Sequence, residues 1–293
     1  MDLRAGVTNI EKVTRIGRQL YYAKLDCFVE LGPAHNSVRF DEVINDVIGE
    51  VVLGEGGFKA EQLAQRIAVE VRERLGALRA EVQVAARYPE HKPAPVSGIA
   101  TQEIYTLLGS AVASERGTRR LIGVAAQGMT AQRLDGTRTR ERLAADGFSD
   151  DRIAAILEAV PLATHNQRGL GTLQLGLPEA CDADVDAAEL LAIVEDSMSS
   201  EIYELMKRSD EAAVVEKAAR RPRFVEDCVR EAIQGAIERF GDLGDDAFVS
   251  ARQENFETIH QHCVVAEHCG LIGELRRDDS AQHTTLREWL SAA

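Results

Sequence analysis

The chain has 293 residues, 45% of them hydrophobic and 28% charged, which suits one large soluble domain or two fused smaller ones. Its formal charge is −14, which argues against a general nucleic-acid binder, because that surface must be basic to neutralise phosphates. No run of about 18 apolar residues occurs, so no membrane span is expected, and Met1-Asp2-Leu3-Arg4 opens no signal peptide. Cys27, Cys181, Cys228, Cys263 and Cys269 form no Cys-x-x-Cys pair, which speaks against a zinc ribbon or redox motif and for a cytoplasmic chain with reduced thiols.

In chain order, residues from about Gly6 to Leu31 read as two extended stretches; Leu20 to Val29 is rich in aromatic and β-branched residues, and Gly32-Pro33 ends it. Phe40, Val43, Ile44, Val47 and Ile48 have helical spacing, Gly54, Gly56 and Gly57 break the chain, and Leu63, Ile67, Val71 and Leu75 stripe a second helix. Ala80 to Ala85 alternates as a strand. A turn holding Pro89, Pro93 and Pro95 leads to another strand at Ile104 to Val112.

The second half repeats this order. Leu121 to Gly128 and Gly169 to Leu177 read as strands. Between them lies a helical insertion, about 132–162. Asp184 to Ser197 reads as a helix with Asp184 as candidate N-cap, and Phe224, Cys228, Ala232, Ala236 and Phe240 mark another, with Pro222 near its start. Phe248 to Arg252 and Thr258 to Ala266 read as closing strands. The expected fold class is α+β. It is a bimodular ββααββ repeat with antiparallel sheets and helices on one face, divided into residues 1–115 and 116–293. Such sheets leave edge strands that invite pairing, so a closed homo-oligomer is expected.

Polar runs carry the candidate chemistry. Thr164-His165-Asn166-Gln167-Arg168-Gly169 is poor core material, since each buried polar head needs a partner. Far downstream lies Glu257-Thr258-Ile259-His260-Gln261-His262, and between them Lys207-Arg208-Ser209-Asp210-Glu211 and Phe224-Val225-Glu226-Asp227. These four runs are expected to converge. His165, Glu211 and His260 supply two imidazoles and a carboxylate, a set that holds Zn(II) or Fe(II) and leaves positions open. On a strand, His260 and His262 would point the same way, so one can be a ligand and the other a proton carrier. Arg168, Lys207 and Arg208 are phosphate candidates, with plain solvation the commoner role for such residues. Glu211 and Glu226 read equally as solvated helix acids, and Cys263 and Cys269 as small buried hydrophobes.

Together with Pro95-Val96-Ser97-Gly98, Thr101-Gln102-Glu103, Gly128-Met129-Thr130-Ala131 and Ser197 to Leu205, these runs resemble the GTP cyclohydrolases of type IB. They are more closely similar to the archaeal iron-dependent enzymes of methanopterin synthesis. The resemblance covers nearly the whole chain. It implies a tunnelling fold (T-fold), an oligomer with interfacial sites, and hydrolytic opening of the imidazole ring of GTP or a related purine nucleotide. Formate is lost and a dihydropterin-type product forms. It places His165, Glu211 and His260 on metal-ligand positions and puts Glu226 where the purine edge is anchored. By the residues themselves, His262 and His165 are the catalytic candidates, with His262 the proton shuttle. The family carries Cys-Pro-Cys after its Gly-Met-Thr run, and one of those cysteines is a metal ligand. Here Ala131 is followed directly by Gln132-Arg133-Leu134-Asp135-Gly136. The run His35-Asn36-Ser37-Val38-Arg39 also departs from the family pattern. Two other classes would use the same residues: a T-fold protein that binds purine or pterin without turnover, and a non-haem iron enzyme on a related heterocycle.

Overall fold

Alternation in the first strands sets the layering. The computed structural model describes residues 3–16, 19–32, 39–54, 58–133, 136–160, 163–178, 181, 183–277 and 283–292. Pro33, the run at 35–38, Gly56, Gly57, Leu134 and Asp135 lie outside the described residues. Strands β1 (Leu3–Ile16) and β2 (Gln19–Leu31) pair antiparallel. In β2, Ala23, Leu25, Cys27 and Val29 are buried on one face while Lys24 is exposed on the other, as a period of two requires. Onto the buried face pack α1 (Phe40–Leu53) and α2 (Ala60–Leu75). Leu63, Ile67 and Val71 of α2 are at most 1% exposed, and each such side chain contributes roughly 1.5–3 kcal/mol of burial.

β3 (Arg79–Pro93) and β4 (Ala100–Ser114) are longer than the sequence pattern indicates. Pro89 and Pro93 lie inside β3, opposite Ile104 and Ala100, and not in a turn. Gly109 of β4 explains how closely α2 sits: a Cβ there would come 2.2 Å from the backbone of Ala60, so only glycine fits.

A tight turn leads into β5 (Gly117–Arg133). The insertion forms α3 (Thr137–Ala145) and α4 (Asp150–Ala159), of which Ile153 alone is fully buried. β6 (Ala163–Leu177), α5 (Ala187–Ser197), β7 (Ser200–Glu201), α6 (Arg208–Arg220), α7 (Val225–Phe240), β8 (Phe248–Phe256) and β9 (Val264–Leu271) follow. The expected N-cap of α5 moves by two residues. Asp186, not Asp184, accepts from Ala188 N at 2.9 Å, and Asp184 instead pairs with Lys59. The last strand also moves: β9 begins at Val264, so His260 and His262 lie in the turn between β8 and β9.

All strand pairs are antiparallel, in the order β1-β2-β3-β4-β5-β6-β8-β9. β4 pairs with β5 only as far as Ala125, and β7 takes up the vacated edge at Gly128 and Met129. One main core joins the helices to one face of this sheet. Two short helices unforeseen from the sequence, α8 (Ile272–Arg277) and α9 (Leu286–Ser291), finish the chain. α9 crosses to the other face, where Trp289 is 2% exposed and stacks on Phe248 with centroids 5.4 Å apart. No helix among the described residues is long and apolar enough to cross a membrane.

Candidate active site

The end of β5 and the start of β6 lie side by side, with Thr130 opposite Gln167 and Ala131 opposite Asn166. The register shifts between Ala131 and Arg133, so a bulge re-aims the side chains here. Gln167 is buried toward the helices and Arg168 is exposed. On the far side of β6, β8 pairs Asn255 with Gly169. A Cβ on Gly169 would come within 2.3 Å of Gln253 Nε2. Glycine therefore leaves room for the buried amide pair in which Gln253 Nε2 donates to Asn255 Oδ1 at 3.0 Å.

Beyond the end of β8, Glu257 turns its carboxylate inward. Its Oε2 lies 3.2 Å from His165 Nε2, and its Oε1 accepts from Gln167 Nε2 at 3.3 Å. The side chains of His165 and Glu257 are 9% and 3% exposed. Beside this pair, His165 Nδ1, Gln167 Oε1 and Thr130 Oγ1 are buried and have no hydrogen-bond partner among the described residues, and Asn166 Oδ1 is likewise unpartnered on the other face of β6. A buried polar atom left unpaired costs about 1–3 kcal/mol. Three such atoms on one face of two adjacent strand ends mark a surface shaped for a ligand.

Neighbouring segments are fastened to the same strand end. Ala131 N donates to Ser199 Oγ at 3.0 Å, and Ala131 O accepts from Arg223 N at 3.0 Å. Lys217 on α6 pairs with Glu201 on β7. Asp210, fully buried, accepts from Val96 N, Ser97 N, Ser97 Oγ and Lys207 N at 2.7–2.8 Å. Burial alone would push its carboxyl up, but these hydrogen bonds outweigh that and hold it well below the usual carboxylate range. Glu103 Oε1 accepts from Thr101 Oγ1 and from Glu204 N, both at 2.8 Å. The runs at 95–98 and 101–103 thus act as anchors that set where α6 begins.

The four polar runs gather at this end of the sheet, but the expected metal ligands do not meet in the single chain. Glu211 is exposed on the first turn of α6, and His260 is exposed in the β8–β9 turn. Among the described residues no three His, Cys, Asp or Glu side chains stand close enough to hold a metal ion. His260 and His262 do face each other, stacked at 5.1 Å and 16°; the tight turn brings them together, not strand alternation. Glu226 is exposed on the first turn of α7, at one end of a groove of about 740 Å³ between α7 and β9. Arg168, Lys207 and Arg208 are exposed and have no ion-pair partner among the described residues.

No thiol joins them. Cys27 and Cys228 are buried, and burial pushes both up to about 12. Cys269 is half-buried, but Cys263 is exposed in the turn and not the buried small hydrophobe expected. Glu257 and Thr130 were not among the expected site residues. Glu257 carried a signal, because it continues the alternation of Gln253 and Asn255, both buried toward the helices.

Against known proteins, a family model described as type I GTP cyclohydrolase folE2 matches residues 3–266. A protein named GTP cyclohydrolase MptA from Methanococcus aeolicus is 34% identical over 293 aligned residues, covering 94% of each chain. The protein of the same name from Methanosarcina mazei is 37% identical, covering 94% of this chain and 92% of its own. Among solved structures, uricase from Arthrobacter globiformis superimposes with a TM-score of 0.58 over 98% of this chain and 97% of its own, at 8% identity. A uricase from Bacillus fastidious gives 0.51 over 97% and 99%, also at 8% identity. At that identity the likeness is one of fold alone.

Proposed function

The chain belongs to the type I GTP cyclohydrolase folE2 family, and from that premise we propose that it hydrolyses GTP or a close purine nucleotide, opening the imidazole ring toward a dihydropterin-type product. The observation that carries the reading is the cluster of unpartnered buried atoms around the His165–Glu257 pair.

The reaction as proposed uses a divalent ion, Fe(II) or Zn(II). The fit is made at His165. Its Nε2 is engaged by the Glu257 carboxylate and its buried Nδ1 is free, the arrangement by which proteins fix the tautomer of a ligating histidine. Which nitrogen carries the proton follows from that hydrogen bond: with Nε2–H donating to Glu257, the Nδ1 lone pair faces the site. Glu211 and His260, exposed at the same end of the sheet, would complete the donor set. Imidazole and carboxylate suit both metals. When bound, such an ion acidifies water and so supplies a nucleophile at neutral pH.

The remaining roles fall to side chains alone. Glu226 anchors the base, since a carboxylate accepts two hydrogen bonds from the N–H and amino groups of a guanine edge. Arg168, Lys207 and Arg208 are cations free to meet phosphate oxygens. His262, stacked on His260, passes protons to and from the reacting ring. Without the family's Cys-Pro-Cys thiolate, affinity for the ion is expected to be weaker than in relatives that have it.

The test joins metal content to base recognition. Protein purified without added metal and measured by mass spectrometry should hold the ion, and His165→Ala should hold one ion fewer per chain. Glu226→Ala should abolish GTP uptake while leaving metal content intact. Metal content undiminished in His165→Ala, or GTP affinity that survives Glu226→Ala, removes the corresponding assignment. GTP uptake without turnover in the metal-loaded protein would move the chain to the non-catalytic binding class, and oxygen consumption with Fe(II) to the oxygen-using class.

A further inference from the structure

The groove between α7 and β9 has two ends. Glu226 lies at one. At the other, where Ile237 of α7 faces Leu275 and Arg276 of α8, the wall is made by two histidines, His268 of β9 and His283. From Glu226 to Ile237 the helix rises roughly 16 Å, so this end is remote from the base-anchoring carboxylate.

The imidazole rings of His268 and His283 have centroids 5.0 Å apart and planes inclined at 56°. Two imidazoles on one tetrahedral ion, with metal–nitrogen distances of about 2.0–2.1 Å, have centroids about 5 Å apart. His283 Nε2 is buried with no hydrogen-bond partner among the described residues. The pair is also built and not incidental. Glu274 accepts from Leu271 N at 2.9 Å at the end of β9, and from Thr284 N at 2.9 Å and Thr284 Oγ1 at 2.6 Å beside His283. One carboxylate thereby holds the two histidine-bearing segments together.

We propose that His268 and His283 form a second divalent-cation site, of the zinc class, that clips the C-terminal segment to β9. Two neutral imidazoles suit a borderline-soft ion, and the open groove lets water fill the remaining positions. The ion would close the loop from residue 268 to residue 283, limiting the freedom of the segment that carries Trp289 to the opposite face. This site stands apart from His165 and does not depend on the GTP reading.

The test titrates Zn²⁺ into the full chain against a competing chelator. His165→Ala removes the first site and should still bind one Zn²⁺ per chain. Adding His268→Gln or His283→Gln to that variant should weaken the remaining binding by about 10–100-fold. Trp289, the single tryptophan, gives a second readout. Zn²⁺ should raise the denaturant midpoint followed by its fluorescence in His165→Ala and not in the double variants. In the unmodified protein, Zn²⁺ should protect His268 and His283 together from acylation by diethylpyrocarbonate, mapped by mass spectrometry. That measurement needs no variant to fold. Equal Zn²⁺ affinity in the single and double variants, or acylation of both rings undiminished by Zn²⁺, would overturn the proposal.

Discussion

Glu257 gives His165 its direction. An imidazole in a strand can present either nitrogen, and the carboxylate 3.2 Å from Nε2 settles the choice. It also takes the amide of Gln167, so one carboxylate orders two neighbours on β6. Glu257→Ala is expected to lower metal affinity about 10–100-fold and GTP turnover with it, while the sheet stays folded. Chelator competition checks this, and unchanged affinity would reduce the pair to packing. His165 was legible in the sequence because an unbroken polar run has no place in a core. Glu257 was harder to see. Its partners lie about ninety residues away on another strand, and no local pattern states which strands pair.

At the scale of elements, the loops fastened to α6 explain why motifs without evident chemistry accompany those that have it. Val96, Ser97 and Lys207 all donate to Asp210, and Glu211 follows it on α6. Because its pKa is depressed in the fold, the stabilisation from Asp210 is complete above the ordinary aspartate value, about 3.9. It is withdrawn as pH falls from there through the folded value. Asp210→Ala is expected to lower the Tm by several degrees near neutral pH and to reduce turnover by displacing the start of α6. The Tm difference from wild type should shrink on acidification below that value. A pH-independent difference would mean that packing and not charge is at stake. Helix and strand periodicity located most elements from sequence, but not their ends. β3 runs through Pro89 where its pairing with β2 has already ended at Ala86 and one side of the strand is open, and β9 starts late because the chain first turns at 257–263. α8 and α9 are too short to declare a period, and the packing of α8 on the main core and of α9 on Phe248 is a tertiary event.

As a whole, the molecule is a T-fold chain with its long core helices on one face of a single antiparallel sheet, α9 on the other, and β1 and β9 at the sheet margins. The division proposed at residues 115 and 116 would cut the tight turn between β4 and β5. Val264 and Val265 of β9 and Val13 of β1 are 37%, 44% and 61% exposed, and unprotected margins of this kind pair with other chains. We expect β9 of one copy to meet β1 of the next and close a ring. Size-exclusion chromatography with light scattering should then give a multiple of 32.0 kDa, and Val265→Lys should break it down; a monomer in the wild type would contradict the closure. Such assembly would bring a second copy beside the β8–β9 turn that carries the exposed His260. Above all of this stands the reaction itself. The most direct test feeds GTP labelled with ¹³C at C8 to the metal-loaded protein and follows the label by NMR. Labelled formate is expected in step with GTP consumed, and none from His165→Ala. No labelled formate with either Fe(II) or Zn(II), or equal formate from His165→Ala, would contradict the proposed reaction.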